Sequence, residues 1–361
     1  MANENNALSA AKRNKQDEFY TQLTDVEKEL RHYRSHFKDK VVYCNCDDPF
    51  VSSFSEYFTK NFEFLGLQKL ITTCYKSQRL DLFSQSDTEE AIKLEYMGGA
   101  PNSLPTLEDI GVTSLKGDGD FRSQECIEIF KEADIVVTNP PFSLFREYIA
   151  QLIEHDMQFV VLGNQGAITY KEVFPLIKEN RLWLGVYSGD MAFKVPDHYE
   201  PRETRYWVDE RGQKWRSFGN MCWYTNLDHS RRHEEIILVQ CYRDNEENYS
   251  SYDNYDAIDV SKVQDIPSDY DGTMGVPITF LNKHNPDQFE ILGIAKTWFG
   301  AAIKNYPKQI QVNKNGNQLE VSKLNDAPAI RLDSAPIGKT YYIVDNNYYE
   351  ATYVRILVRK I

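Results

Sequence analysis

Through the first 180 residues, short apolar runs alternate with segments whose apolar positions recur every three or four residues. Val41-Val42-Tyr43-Cys44-Asn45-Cys46 reads as a first strand. Asp48-Pro49 follows as a helix cap with proline at the first helical position, and Phe50, Phe54, Tyr57 and Phe58 fall on one face of the helix after it. A second strand is expected at residues 69–75 and a third edge near 116–121. Residues 133–138, with an Ile-Val-Val centre, read as a short buried strand. Leu144, Tyr148, Leu152 and Ile153 mark a helix behind it, and residues 158–163 make another strand. This alternation predicts an α/β fold with a parallel sheet wrapped by helices.

Beyond that point the pattern turns antiparallel. Residues 221–227 and 235–242 are strand-like with a short polar turn between them, a hairpin expected to close the edge of the sheet. Residues 244–256 are low in complexity and poor in aliphatics, which predicts a connector. Residues 276–281, 309–312 and 340–344 read as strands of a smaller mixed domain. A chain of 361 residues exceeds the usual size of a single core. The expected organisation is a flexible N-terminus (1–16), a catalytic domain (17–243), an acidic linker (244–271) and a C-terminal domain (272–361).

Composition narrows the classes. Six cysteines without a CxxC pair suit a reducing compartment, and Cys44-x-Cys46 is poorly spaced for zinc or redox chemistry, so no metal site is expected. The polar N-terminus lacks the apolar core of a signal peptide, and no run reaches the roughly 18 apolar residues of a membrane span. A soluble cytoplasmic protein with no membrane partner is the expectation. The net charge of −13 disfavours nucleic acid at first, yet nine acids against one base lie between residues 244 and 271 alone. Five bases against three acids lie between 201 and 217, and eleven against seven between 281 and 361. Two locally basic regions therefore survive, compatible with a DNA footprint.

In open α/β sheets ligands bind at the carboxyl ends of the strands. Three stretches fall there by this reading: 45–48, the Gly117-Asp118-Gly119-Asp120-Phe121 turn, and Asn139-Pro140-Pro141-Phe142. The last carries the sharpest chemistry. Proline has no N–H, so beside Asn139 the main chain offers acceptors and almost no donors. An amine held by Asn139 Oδ1 and the Pro140 carbonyl is drawn toward tetrahedral geometry with its lone pair exposed. Phe142 supplies a flat face on which a base can stack. His229 and His233, four apart beside Arg231 and Arg232, read as a solvated basic loop able to touch phosphate, and Trp223 as a core residue.

The ordered set Asp17-Glu18-Phe19-Tyr20-Thr21, Asp47-Asp48-Pro49, Gly117 to Ser123, Asn139-Pro140-Pro141-Phe142, Gly219 to Asn226 and Asn285 to Glu290 resembles the EcoRI-type adenine-specific DNA methyltransferases, over most of the chain. The resemblance implies a Rossmann-like sheet with an added antiparallel strand, S-adenosylmethionine as methyl donor, and transfer to adenine N6 in double-stranded DNA. It implies a C-terminal portion that helps recognise the target, a monomer, and the option of a cognate restriction endonuclease acting on the same site. Mapped onto that chemistry, Asn139, Pro140, Pro141 and Phe142 are the expected catalytic residues. Tyr20, Thr21, Asn45, Asp47, Asp48, Asp118, Asp120 and Phe121 are the expected cofactor-binding residues: Asp47 and Asp48 at a helix N-terminus toward the donor's amino-acid end, Asp120 toward its adenine amine with Phe121 on the ring, Tyr20 and Thr21 closing over it.

Two features depart from broader methyltransferase expectations. Asp47-Asp48-Pro49 stands where a glycine-rich turn is usual, and the second strand ends in Thr72-Thr73-Cys74-Tyr75 without an acid for ribose hydroxyls. RNA adenine or a protein glutamine amide also presents a planar NH₂, and a catalytically silent DNA-binding module is the reading from a different class.

Overall fold

The computed structural model describes residues 19–46, 52–74, 91–99 and 111–361. The expected flexible N-terminus, along with Asp47, Asp48 and Pro49, lies outside them. The chain divides into two compact units: residues 1–167 with 182–229, and residues 168–181 with 230–361.

The first unit is built on a nine-stranded sheet. Its strands are β1 (Val41–Cys44), β2 (Lys69–Thr73), β3 (Ile92–Tyr96), β4 (Gly111–Ser114), β5 (Ile135–Thr138), β6 (Gln158–Asn164), β7 (Trp183–Lys194), β8 (Tyr206–Val208) and β9 (Lys214–Thr225), in the order β4-β3-β2-β1-β5-β6-β9-β7 with β8 on β9. β2, β1, β5 and β6 are mutually parallel. β5 is buried at all four positions, as expected of a central strand covered on both faces. Helix Phe145–Glu154 buries Phe145, Tyr148, Ile149 and Leu152, one stripe of its surface, and returns the chain from β5 to β6.

Several expectations are corrected here. The helix after β1 is Ser53–Lys60, and its cap is Ser52, whose Oγ accepts from the Phe54 and Ser55 amides, four residues beyond the expected Asp48. Residues 116–121 form a loop; the strand that precedes them is β4. β3 runs antiparallel to both β2 and β4, so the sheet is mixed at that edge while β4 points the same way as β2. The hairpin does not form. β9 instead lies antiparallel between β6 and β7, and residues 235–242 carry no ladder. Their Ile-Ile-Leu-Val run has no alternation to select a face, and Ile237 and Val239 stand 83% and 72% exposed. β7 went unread because it bulges between Leu184 and Ser188. There the amides of Val186 and Tyr187 donate to the buried Glu29 carboxylate at 2.9 and 2.6 Å, and a Cβ on Gly185 would lie 2.2 Å from it.

In the second unit, β10 (Ile258–Asp259), β11 (Met274–Pro277), β12 (Phe289–Ile294) and β18 (Arg355–Lys360) form a sheet ordered β10-β11-β18-β12. A second sheet is ordered β14-β13-β16-β17-β15, from β13 (Gln309–Val312), β14 (Gln318–Val321), β15 (Ala329–Leu332), β16 (Tyr341–Val344) and β17 (Asn347–Ala351). The expected strand at 276–281 ends at Pro277, where a 3₁₀ turn takes over. The acidic stretch is solvated only in part: residues 244–248 are exposed, but the chain beyond them packs inward. Tyr252, Tyr255, Ile258 and Ile266 are buried, and Asp259 is held by Arg355 Nε at 2.9 Å and Tyr252 Oη at 2.5 Å. Aromatic residues interleaved with the acids give this stretch a core to join, which a count of charge and aliphatics overlooks.

Candidate active site

Because β1, β2, β5 and β6 run the same way, their carboxyl ends share one rim, where Asn45 and the 139–142 turn lie; Asp47 and Asp48, expected beside them, fall outside the described residues. Asn139 follows β5 directly and is 8% exposed. Its Nδ2 donates to the Phe19 carbonyl at 2.6 Å. A carbonyl accepts only from the NH₂ side, so this bond fixes which edge of the amide presents Oδ1. Pro140 is buried, while Pro141 and Phe142 are partly exposed. Phe142 stacks on Phe19 at 5.3 Å between centroids and 17° between planes, and the edges of Phe193 and Phe218 meet it at 6.3 and 6.1 Å. One face of Phe142 is thus already covered, a correction to its reading as a bare platform.

The N-terminal segment reaches this turn through the sheet. Tyr20 and Lys194, at the end of β7, exchange backbone bonds at 2.9 and 3.1 Å, and Gln22 Nε2 donates to the Ala192 carbonyl at 2.9 Å. That pairing delivers Phe19 to Asn139 and Phe142, and it buries Thr21, whose Oγ1 finds no hydrogen-bond partner among the described residues. Thr72 Oγ1, near the carboxyl end of β2, is buried in the same condition.

Asn45 ends β1 beside Thr138. Its carbonyl accepts from Thr138 Oγ1, and its Oδ1 accepts from Tyr148 Oη, so its acceptors serve the protein. Burial pushes the Tyr148 hydroxyl well above the ordinary tyrosine range and keeps it a donor. Tyr148 also meets Phe121 edge-on at 5.0 Å. The 117–121 loop follows β4, which points the same way as β2, and so opens on this rim: Gly119, at φ +76°, would carry a Cβ only 2.1 Å from the Cys74 carbonyl just past β2, so only glycine allows the approach. Within the loop, exposed Asp118 accepts from the Asp120 amide at 3.0 Å.

Asp120 is less open than the sequence suggested. Its Oδ1 accepts from the Arg122 amide and Nε at 2.8 and 2.9 Å, and its Oδ2 from Arg122 Nη2 at 2.7 Å. The guanidinium holds this carboxyl below its usual range. Three of about four lone-pair sites are taken, which leaves room for roughly one further donor. Phe121 is buried against Tyr148 and carries Arg122 over its ring at 5.4 Å.

Phe19, Phe193, Phe218, Arg122 and Tyr148 complete the rim, and sequence reading gave none of them a role there. Tyr148 was marked only as a helix face, and Phe19 stood inside a motif whose next two residues drew attention. Asn164, at the end of β6, belongs to the same rim: its Oδ1 accepts from the Gly166 amide at 2.7 Å and from Asn220 Nδ2 at 2.9 Å. His229 and Arg232 are buried, contrary to a solvated loop; His229 Nε2 lies 3.0 Å from the Leu184 carbonyl. Trp223 is fully buried in the core. No group of three or more His, Cys, Asp or Glu among the described residues is arranged to hold a metal ion.

A buried strand that ends in acceptors beside a stacking ring is suited to gripping a planar amine, and comparison with known proteins says which. The family described as Adenine-specific methyltransferase EcoRI matches residues 7–361. The chain belongs to that family. A type II methyltransferase, M.EcoRI of Escherichia coli, is 52% identical over 294 residues, 81% of this chain and 90% of the relative. M.MgeORF184P of Mycoplasma genitalium is 39% identical over 290 residues (79% and 85%), and M.MpnI of Mycoplasma pneumoniae 39% over 289 residues (79% and 84%). No solved structure matches the chain. As a member of the EcoRI family it is an adenine-specific DNA methyltransferase of the restriction-modification type.

Proposed function

We propose that the 139–142 turn receives an adenine rotated out of the duplex, and that S-adenosylmethionine lies beside it along the ends of β1 and β2. The observation that carries this reading is the Asn139 Nδ2 bond to the Phe19 carbonyl, since it orients the Asn139 acceptor before any substrate arrives. Asn139 Oδ1 and the Pro140 carbonyl then take the two amine hydrogens of adenine, and Phe142, braced from behind by Phe19, takes the base on its remaining face. Withdrawing both hydrogens from the plane of the ring localises the nitrogen lone pair. The proton leaves after transfer, so no strongly basic side chain is needed.

The donor supplies an electrophilic methyl group on a sulfonium. The rim suits such a molecule: two buried hydroxyls, Thr21 Oγ1 and Thr72 Oγ1, want partners, and a ligand with carboxylate, ammonium, ribose hydroxyls and an adenine offers both kinds. Asp120 keeps capacity for one amino hydrogen, and Asn45 contributes its Nδ2, its oxygens being bound by Tyr148 and Thr138. Phe121 backs this wall through Tyr148 and shapes it. For the ribose hydroxyls, where a carboxylate is usual, we assign Thr72 near the end of β2, supported by its buried, unpartnered Oγ1. We read the parallel core with β9 inserted antiparallel as the Rossmann-like sheet of donor-dependent methyltransferases. The second unit is assigned a share in choosing the target, with a monomeric, cytoplasmic enzyme and a partner endonuclease for the same site as the accompanying reading. No helix among the described residues is long and apolar enough to cross a membrane.

The test offers methyl-labelled donor with duplex DNA, RNA or protein in turn. Label in DNA adenine supports the reading; label confined to RNA or to protein amide overturns it. No donor binding at millimolar concentration would leave a silent module.

A further inference from the structure

We propose that the antiparallel arm formed by the end of β7, β8 and the start of β9 is a DNA-docking surface, gripping the phosphate backbone next to the adenine held at residues 139–142. The inference rests on the reading of that turn as the target-base site.

β6 ends at Asn164, opposite Met221, so residues 214–220 of β9 continue past the rim with β7 and β8 as their only ladder partners among the described residues. The register sorts the side chains of this projection. Phe193, Arg216 and Tyr206 lie opposite one another on one face. With Phe218, two residues on, that face joins the Phe19 and Phe142 cluster. Lys194, Trp215 and Trp207 lie opposite one another on the other face. There Trp207, 41% exposed, stacks on Trp215 at 6.1 Å and 5° between planes, and Lys194 Nζ sits 6.0 Å from the Trp215 centroid. Arg205 lies against Gly219, where a Cβ would come within 2.8 Å of its Nη2, and makes an exposed pair with Asp190 at 2.9 Å. Such a pair contributes little and can give way to a phosphate.

The arm is held stiff from within. Asp209 accepts from the amides of Arg211 and Gln213 at 2.9 and 3.0 Å and from Trp215 Nε1 at 2.9 Å, so one of the three acids between 201 and 217 is spent on the turn. What remains is locally basic in a chain of net charge −13, with an aromatic plate beside the cations. Lys194 also pairs its backbone with Tyr20, next to the Phe19 carbonyl that orients Asn139, so a phosphate bound at Lys194 is mechanically joined to the catalytic turn.

The experiment measures the dissociation constant of a duplex that the wild-type enzyme methylates, across a salt series, for Lys194→Ala with Arg205→Ala, for Trp207→Ala, and for Lys60→Ala as a distant control. The double variant is expected to bind at least tenfold more weakly, with a log–log salt slope shallower by about two. Trp207→Ala is expected to lose about tenfold in affinity. Lys194→Arg with Arg205→Lys keeps the charges and is expected to restore the slope, which a folding defect would not. Wild-type affinity and slope in the double variant overturn the arm alone. A wild-type protein that neither binds nor methylates duplex DNA overturns the activity and the arm together.

Discussion

Asn139 works because two constraints meet on one amide. The strand behind it is buried at every position, which fixes where the residue lies, and the Phe19 carbonyl fixes which way it faces. Asn139→Ala is therefore expected to lower kcat for methyl transfer by about 10²-fold or more while donor binding, measured by calorimetry, is retained. Phe19→Leu keeps the carbonyl but removes the stack under Phe142, and is expected to raise the KM for DNA more than it lowers kcat, with Phe19→Tyr restoring it. At this scale the sequence was most readable where chemistry is local. Asparagine between a buried strand and two prolines declares its acceptors wherever it folds. The brace was not readable, since Phe19 and Asn139 are 120 residues apart and meet only through the bridge between Tyr20 and Lys194. The hold on Asp120 has a nearer cause: Arg122, two residues away, donates its amide and guanidinium to the carboxylate, a local contact that the motif alone does not declare.

Among the elements, the parallel strands of the first sheet were legible from their apolar runs, as were the antiparallel β13, β16 and the end of β9, whereas β7 and β8 were not. β5 and β6 carry unbroken aliphatic centres, and helix Phe145–Glu154 has its periodic stripe. β7 loses its period at the bulge, and the residue that stabilises the bulge, Glu29, lies more than 150 positions earlier. A buried carboxylate that accepts from Tyr33 Oη and two bulge amides cannot be replaced by a methyl group without leaving donors unsatisfied. Glu29→Ala is expected to cost about 3 kcal/mol or more in urea unfolding, with the loss of activity tracking the loss of folded protein. The run at 235–242 shows the reverse error: high strand propensity with no more than an isolated bridge, between Gln240 and Pro267. There Gln288 occupies the Ile236 backbone, its Oε1 taking the amide and its Nε2 giving to the carbonyl, both at 2.8 Å.

For the whole molecule, two cores were anticipated from length, but their division was not. The second unit takes residues 168–181 from the middle of the catalytic sequence, and the acidic stretch is part of its core rather than a tether. Charge patterning read Asp259 as solvated because it could not see its partner Arg355, 96 positions away; Asp244, Glu246, Glu247, Asp256, Asp269 and Asp271 are indeed exposed. The same unit carries a titration. His284 is half-buried with Nε2 2.9 Å from the Phe289 carbonyl, and desolvation of its ring holds its pKa below the ordinary 6.5. The unfolded chain then binds a proton before the folded one does, so stability falls as pH drops through about 6.5 and levels off below the folded value. Thermal melts between about pH 7.5 and pH 5 are expected to show that fall, and His284→Gln to flatten it. The central claim, that this rim methylates adenine in duplex DNA through Asn139, is tested most directly by digesting DNA to nucleosides after incubation with donor and enzyme, and weighing the products. N6-methyladenine is expected with the wild-type protein and essentially none with Asn139→Ala. Unmodified DNA with the wild-type protein, or equal modification by the variant, would contradict it.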